Sequence, residues 1–233
     1  TATVTGGGAS VQATLTVDTV TNGGVYEISI DDGGTGYTSV PTVTILDSNA
    51  KFVAVRTAGG NNAAYKPVSS LGSSAWASSS GTTPVGTYAS MAFGGGVWVA
   101  VGGTASATSS TDGQTWVSRT ITTTTGTWSD VTYGNGTFVA ISTGDNKTSY
   151  STNGNTWTAG GTLPSSTTWT GIAYGNGRFV AIASGGRTVA YSIDKGVTWT
   201  AVSPGLPSSQ TWTHIGYGQG QFIAVASSTN VAA

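Results

Sequence analysis

Side chains equipped for acid–base or metal chemistry are few in this sequence. His214 is the sole histidine and Glu27 the sole glutamate among 233 residues, and cysteine is absent. A His-based triad, a two-His metal site, a thiolate site or a general-acid glutamate in the main body of the chain would each lack a part. Aspartates remain. Two of them can in principle cleave a glycosidic bond, one as acid and the other as base or nucleophile. Asp112 and Asp194 sit in turn-like contexts, so Asp130 and Asp145 are the pair that such chemistry would have to use. The expectation is a chain with no catalytic residues, no metal and no cofactor: not an enzyme.

The elements that carry these residues are repeated. Trp76, Trp116, Trp157 and Trp199 follow one another at 40, 41 and 42 residues, and Tyr88, Trp128, Trp169 and Trp212 at 40, 41 and 43. The block Trp128-Ser-Asp-Val-Thr-Tyr-Gly-Asn-Gly-Thr-Phe-Val-Ala-Ile141 recurs with small changes from Trp169, from Trp212 and, earlier, from Tyr88. Val131 and Tyr133 alternate with polar residues, the period of a strand. Gly134-Asn135-Gly136 supplies residues that accept the positive φ of a tight hairpin turn. Phe138-Val139-Ala140-Ile141 is then a continuous apolar run, as expected of a strand covered on both faces.

A second hairpin closes each unit. Its tips are Ser110-Thr-Asp112-Gly-Gln-Thr-Trp116, Ser151-Thr-Asn153-Gly-Asn-Thr-Trp157 and Ser192-Ile-Asp194-Lys-Gly-Val-Thr-Trp199. A short Asx side chain can accept hydrogen bonds from backbone N–H groups two residues on, which fixes such a turn. The tryptophan supplies a large apolar plate. Asp112, Asn153 and Asp194, with Trp116, Trp157 and Trp199, are therefore expected to be structural. The segment Val68–Trp76 has the outline of a degenerate copy without the acid.

The Ser-x-Asp-x-Gly-x-Thr-Trp order of the third copy resembles the Asp box of sialidase-type (BNR) repeats. The first two copies lack one residue between Asx and Gly. The resemblance implies an all-β protein, a β-propeller of four-stranded blades, with the boxes on the outer rim and the Trp-x-x-Ile-x-Tyr strands toward the axis. A single four-stranded sheet cannot bury both faces, and stacking neighbours does so. In that family the box is not the active site. Sialidase-type catalysis resembles an arginine cluster, a tyrosine nucleophile and a glutamate partner. Here there are four arginines, Arg56, Arg119, Arg178 and Arg187, and Glu27 lies outside the repeats.

Three units are clear, at about 87–118, 127–158 and 168–200, and 211–226 starts another. Two arrangements are open. The last hairpin can complete an N-terminal one containing Lys51–Val55, closing a ring of four blades. Alternatively 42–80 is itself a blade and 211–226 opens a fifth, whose remainder would lie outside the given sequence. Residues 1–50 follow the repeat poorly and are read as a small β module, a stem or connector, with 51–233 as the propeller. Within the module, Gly33-Gly-Thr-Gly-Tyr37-Thr-Ser-Val-Pro41-Thr-Val-Thr-Ile45 resembles modules found along tailed-phage structural proteins and long bacterial surface proteins. The stretch Ala58–Ala64 is read as a linker.

Charged residues are 7% of the chain and the net charge is −1. Electrostatic capture of nucleic acid or of an anionic membrane needs a basic surface, which this composition does not supply. No apolar run reaches the length of about 18 residues that a spanning helix requires, and membrane insertion is not expected. The first expectation is a virion structural appendage (a phage fibre, spike or decoration) at the virion surface or outside the cell. It would contact other virion proteins or a host-surface glycan and form a homo-oligomer. The alternative is a lectin-like, carbohydrate-binding propeller of a secreted or cell-surface protein. Its candidate ligand-binding residues are Tyr88, Trp128, Trp169 and Trp212, on whose rings sugar faces could stack. A sialidase-like glycosidase ranks third.

Overall fold

The structure, a computed structural model, describes residues 2–5, 8, 14–21, 24–32, 35–36, 38–39, 42–45, 51–55, 63–67, 75–78, 87–103, 106–121 and 127–227. Every regular element among them is a β-strand. The chain divides into two compact units, Thr1–Val53 with Tyr65–Ala77 and Ala54–Ala64 with Ser78–Ala233. The sequence reading sets its boundary at residue 50, whereas this partition keeps 65–77 with the N-terminal strands.

Strands β1 (Ala2–Thr5), β2 (Thr14–Thr21), β3 (Gly24–Asp32) and β4 (Thr42–Ile45) make two antiparallel pairs, β1 with β4 and β2 with β3. Residues 14–17 of the alternating run 13–17 fall in β2 and the run 25–30 falls in β3, while Ala13 lies outside the described residues. Strands β5 (Lys51–Val55), β6 (Ala63–Pro67) and β7 (Ala77–Ser78) form a three-stranded sheet in that order. Most of the Gly33–Pro41 turn, the 58–62 part of the linker and the 68–74 part of the degenerate copy lie outside the described residues.

The second unit contains the repeats. Strands β8 (Ser90–Gly94), β9 (Val97–Gly102), β10 (Ser106–Ser110) and β11 (Val117–Thr120) form one four-stranded antiparallel sheet. Strands β12 (Thr127–Gly134), β13 (Thr137–Thr143), β14 (Thr148–Ser151) and β15 (Thr158–Ala159) form the second. The third is β16 (Trp169–Gly175), β17 (Arg178–Ala183), β18 (Val189–Ser192) and β19 (Thr200–Ala201). Strands β20 (Trp212–Gly218) and β21 (Gln221–Ala226) then make a hairpin. The order within each sheet is sequential, and the first strands β8, β12, β16 and β20 lie side by side. Tight turns join first strands to second: Asn135 and Asn176 take φ of 47° and 44°, the left-handed region that asparagine tolerates.

The first strands of the last three repeats share one irregularity. The register shifts between Trp128 and Asp130, between Trp169 and Gly171, and between Trp212 and His214. Each bulge inserts a hydroxyl residue that donates to a carbonyl of the facing strand. Ser129 Oγ bonds Ile141 O at 3.2 Å, Thr170 Oγ1 bonds Ile182 O at 3.5 Å and Thr213 Oγ1 bonds Val225 O at 3.3 Å. A bulge re-aims the side chain beside it, here the one two residues past each tryptophan.

Apolar residues of consecutive sheets interdigitate. Val99, Val101 and Ile121 of the first repeat pack with Trp128, Phe138 and Trp157 of the second. Val139, Ile141 and Leu163 of the second pack with Trp169, Ile172 and Phe179 of the third. Ile182 and Leu206 of the third pack with Trp212 and Ala224 of the last hairpin. Strand β13 shows why its sequence does not alternate: Phe138 and Ala140 face one neighbour, Val139 and Ile141 the other.

One contact sets the spacing. A Cβ built on Gly94, Gly134 or Gly175 would lie 2.0 Å from Cγ of Tyr133, Tyr174 or Tyr217, the tyrosine one repeat further on. Only a bare Cα lets the ring lie there. Each ring also tilts against the phenylalanine after its own turn, Phe138, Phe179 or Phe222, at a centroid distance of 4.7 Å.

Candidate functional site

The Asx turns come first, because their Asp or Asn residue recurs in every complete repeat. In the first, Gly113 N donates to Ser110 Oγ at 2.8 Å, while Gln114 N and Thr115 N both donate to Asp112 Oδ1 at 2.7 Å. The second repeats this: Gly154 N to Ser151 Oγ at 2.8 Å, and Asn155 N and Thr156 N to Asn153 Oδ1 at 2.9 and 3.0 Å. In the third, Lys195 lengthens the loop by one residue. Gly196 N still reaches Ser192 Oγ at 2.9 Å, and Thr198 donates through N and Oγ1 to Asp194 at 2.9 and 2.6 Å. The tryptophans that follow are fixed as plates: Trp116 and Trp157 are buried and Trp199 is half-buried, packed on the second interblade core.

Burial pushes the Asp112 carboxyl up. The Thr115 and Gln114 N–H groups and the Ser110 and Thr115 side chains outweigh it, and the net position is below the ordinary carboxylate value. Asp194 behaves alike: burial opposes, Thr198 and Ser192 prevail, and its value is lowered. A carboxylate lowered on folding contributes stability that is complete above its unfolded value, about 3.9, and is lost as pH falls through the lower folded value. These two turns should therefore weaken in acid, while the Asn153 turn does not titrate. Asp112→Ala should cost about 1 kcal/mol by orphaning two N–H groups. Asp112→Asn should be nearly neutral at pH 7, since Asn153 already makes the same bonds. Chemical denaturation of the two variants checks both statements.

The aromatic ladder lies in the core. Trp128, Trp169 and Trp212 are 0% exposed and Tyr88 is 3% exposed. The rings of Trp128, Trp169 and Trp212 form part of the interblade packing, with Trp169 Nε1 donating to Ser165 O at 2.9 Å and Trp212 Nε1 to Ser208 O at 3.1 Å. A sugar needs an accessible ring face, and these four offer none. This corrects the lectin assignment of the ladder. The period that suggested a row of binding rings is the period of the blade cores.

Asp130 and Asp145 are used separately. Asp145 accepts from Lys147 N at 3.1 Å in the β13–β14 turn. Asp130, beside its bulge on β12, bridges three repeats. Its Oδ1 accepts from Ser90 Oγ at 2.5 Å and from Val131 N at 2.8 Å, and its Oδ2 accepts from Ile172 N at 2.8 Å. Burial raises this carboxyl above its ordinary value, and the bonds from Ser90, Ile172 and Val131 with the charge of His214 offset that only in part. Ser90, Asp130, Gly171 and His214 hold equivalent positions on the four adjacent first strands. The sequence marks this position only as variable. Its one acid, on an inner strand, was the signal for an interblade bridge. Asp130→Ala should cost about 1–3 kcal/mol by leaving the Val131 and Ile172 N–H groups unpaired, measured as a lower denaturation midpoint. The sign of its pH dependence is opposite to that of Asp112: a raised folded value means that the charged form is the less favourable one, so this contribution improves as pH falls toward that value.

Two surface features remain. An apolar crevice of about 220 Å³ lies between the third sheet and the last hairpin, lined by Val180, Ile182, Leu206, Pro207 and Phe222 among others. The outer face of the last hairpin, with Tyr217, Gly218, Ile223 and Val225, is open. Among the described residues no group of three or more His, Cys, Asp or Glu side chains is placed to hold a metal ion.

No family profile matches the chain, and no curated protein matches it. Solved structures do. A streptogramin B lyase is similar with a TM-score of 0.60 and 12% identity, covering 74% of this chain and 61% of that one. YCF48 bound to D1 peptide is similar with a TM-score of 0.54 and 16% identity, covering 78% and 62%. The computationally designed Ika8 protein is similar with a TM-score of 0.51 and 13% identity, covering 85% and 62%. The chain thus spans about three fifths of the length of each. At these identities the likeness speaks to fold. With the sequential four-stranded sheets and adjacent first strands, it defines the class: an all-β protein with a β-propeller of four-stranded blades.

Proposed function

We propose that the protein is a non-enzymatic structural appendage of a virion, a fibre, spike or decoration, whose propeller is a rigid head for contact with a receptor or a partner. The observation that carries the reading is the use made of the recurring Asx side chains and of Asp130. Asp112, Asn153 and Asp194 are engaged by turn N–H groups, and Asp130 by three donors from three repeats. What the blades offer is a stiff, hydroxyl-coated surface of low charge. The Gly33–Ile45 motif, which resembles modules of tailed-phage structural proteins, supports a place in a virion. On this reading the partners are other virion proteins or a host-surface glycan, with no nucleic acid and no membrane insertion, at the virion surface or outside the cell.

Mass spectrometry of gradient-purified particles tests the location: the chain should be present in a fixed ratio to the capsid protein. Recovery from the medium alone, with particles devoid of it, would sink the virion reading. A panel of glycosides tests the chemistry. Turnover that Asp130→Asn abolishes would overturn the non-enzymatic reading.

A further inference from the structure

Asparagine followed by glycine is open to a spontaneous rearrangement. The glycine nitrogen, once its proton is lost to base, attacks the asparagine Cγ. A C–N bond closes a succinimide ring and the side-chain amide leaves as ammonia. Water then opens either ring carbonyl, giving aspartate or isoaspartate, whose main chain runs through the former side chain. Glycine favours the step because no Cβ obstructs the ring. The sequence contains such pairs at 22, 135, 153 and 176. The first lies outside the described residues.

Exposure does not separate the other three, because Asn135, Asn153 and Asn176 are all exposed. Their hydrogen bonds do. At 153 both reacting groups are engaged. Gly154 N, the nucleophile, donates to Ser151 Oγ at 2.8 Å. Asn153 Oδ1 accepts from Asn155 N, Thr156 N and Ser151 Oγ at 2.9, 3.0 and 3.2 Å, and its Nδ2 donates to Thr156 Oγ1 at 3.2 Å. Asn135 and Asn176 stand instead at the tips of the β12–β13 and β16–β17 hairpins, each followed by a glycine at φ 75°. Neither side-chain amide, nor the N–H of Gly136 or Gly177, has a hydrogen-bond partner among the described residues. Gly95 and Gln219 hold the same place in the β8–β9 and β20–β21 hairpins, and glutamine would have to close a larger ring.

We propose that Asn135 and Asn176 are covalent modification sites that deamidate while the chain is folded, and that the Asx turn shields Asn153. This inference goes beyond the virion reading and does not depend on it. Each conversion adds a carboxylate to a chain whose net charge is −1. The isoaspartyl product also lengthens the main chain by a methylene between Gly134 and Thr137, or between Gly175 and Arg178, the pairs that end the two hairpins. Gly134 and Gly175 are the seats of Tyr174 and Tyr217, so the modification acts beside the contact that spaces the repeats.

The test incubates the folded chain in mildly alkaline buffer beside the same chain in urea. Peptide mass spectrometry follows each site as the exchange of a side-chain amide for a carboxyl. In urea the three sites should convert at similar rates. In the folded chain Asn153 should be at least about tenfold slower than Asn135 and Asn176, since breaking about 1.4 kcal/mol of its hydrogen bonding already costs that factor. Ser151→Ala, which removes the acceptor of Gly154 N, should raise the rate at 153 and leave those at 135 and 176 unchanged. Asn153 converting as fast as the other two in the folded chain overturns the proposal. So does survival of Asn135 and Asn176 in the folded chain while the urea sample converts.

Discussion

Gly134→Val is expected to lower stability by about 3 kcal/mol or more, while Gly218→Val is expected to stay within about 0.5 kcal/mol of the unsubstituted chain. The two glycines hold the same position in their repeats, and a propensity argument would treat them alike. Their surroundings decide. A side chain on Gly134 begins 2.0–2.5 Å from three ring atoms of Tyr174, and that ring is held in turn against Phe179. Tyr174 cannot step aside without opening the β12–β16 contact. On Gly218 the new side chain meets open space. For a chain of this size about 3 kcal/mol corresponds to a fall of roughly 6–12 °C in Tm. Thermal unfolding of the two variants beside the unsubstituted chain checks both values. Adding Tyr174→Ala to Gly134→Val should restore part of the loss, because the ring that obstructs the new side chain is gone. Equal losses at 134 and 218 would show that the ring-on-glycine contact does not set the blade spacing.

That contact illustrates what the sequence discloses and what it does not. The 40-residue period, the Asn-Gly turns and the Ser-x-Asx loops are local: a few neighbouring residues determine each, so the residue types announce them. The four-stranded sheets follow from counting strands between turns. Burial of Trp128, Trp169 and Trp212 is not local. It depends on the next sheet lying against them, and an aromatic residue at a fixed period suits a core plate and an exposed sugar platform equally well. Gly134 reads as a turn residue in sequence; only the neighbouring repeat reveals it as a socket. Asp130 is similar. Its partners Ser90 and Ile172 are 40 and 42 residues away, and the period aligns their repeats without saying which side chains reach across.

The consequence is sharpest at Trp169. Its indole is 0% exposed, packs with Val139, Ile141, Leu163, Ile172 and Phe179 and donates to Ser165 O. Trp169→Ala should therefore cost about 3–5 kcal/mol, the transfer energy of the ring plus the cavity it leaves, or roughly 6–20 °C in Tm. Trp76→Ala is the control: that ring is 49% exposed, and its loss should move Tm far less. A binding platform and a core plate predict opposite outcomes. If the ring served a ligand, the alanine variant would keep its Tm and lose affinity for the glycan. If it fills the space between two sheets, the variant loses Tm whatever ligand is present. Trp212 extends the comparison, because its hairpin is packed on one face and open on the other. Removing its indole loosens the single interface that holds β20 and β21, so Trp212→Ala should raise hydrogen exchange first in 212–226. Trp169→Ala removes a plate shared between two complete blades and should raise exchange across both.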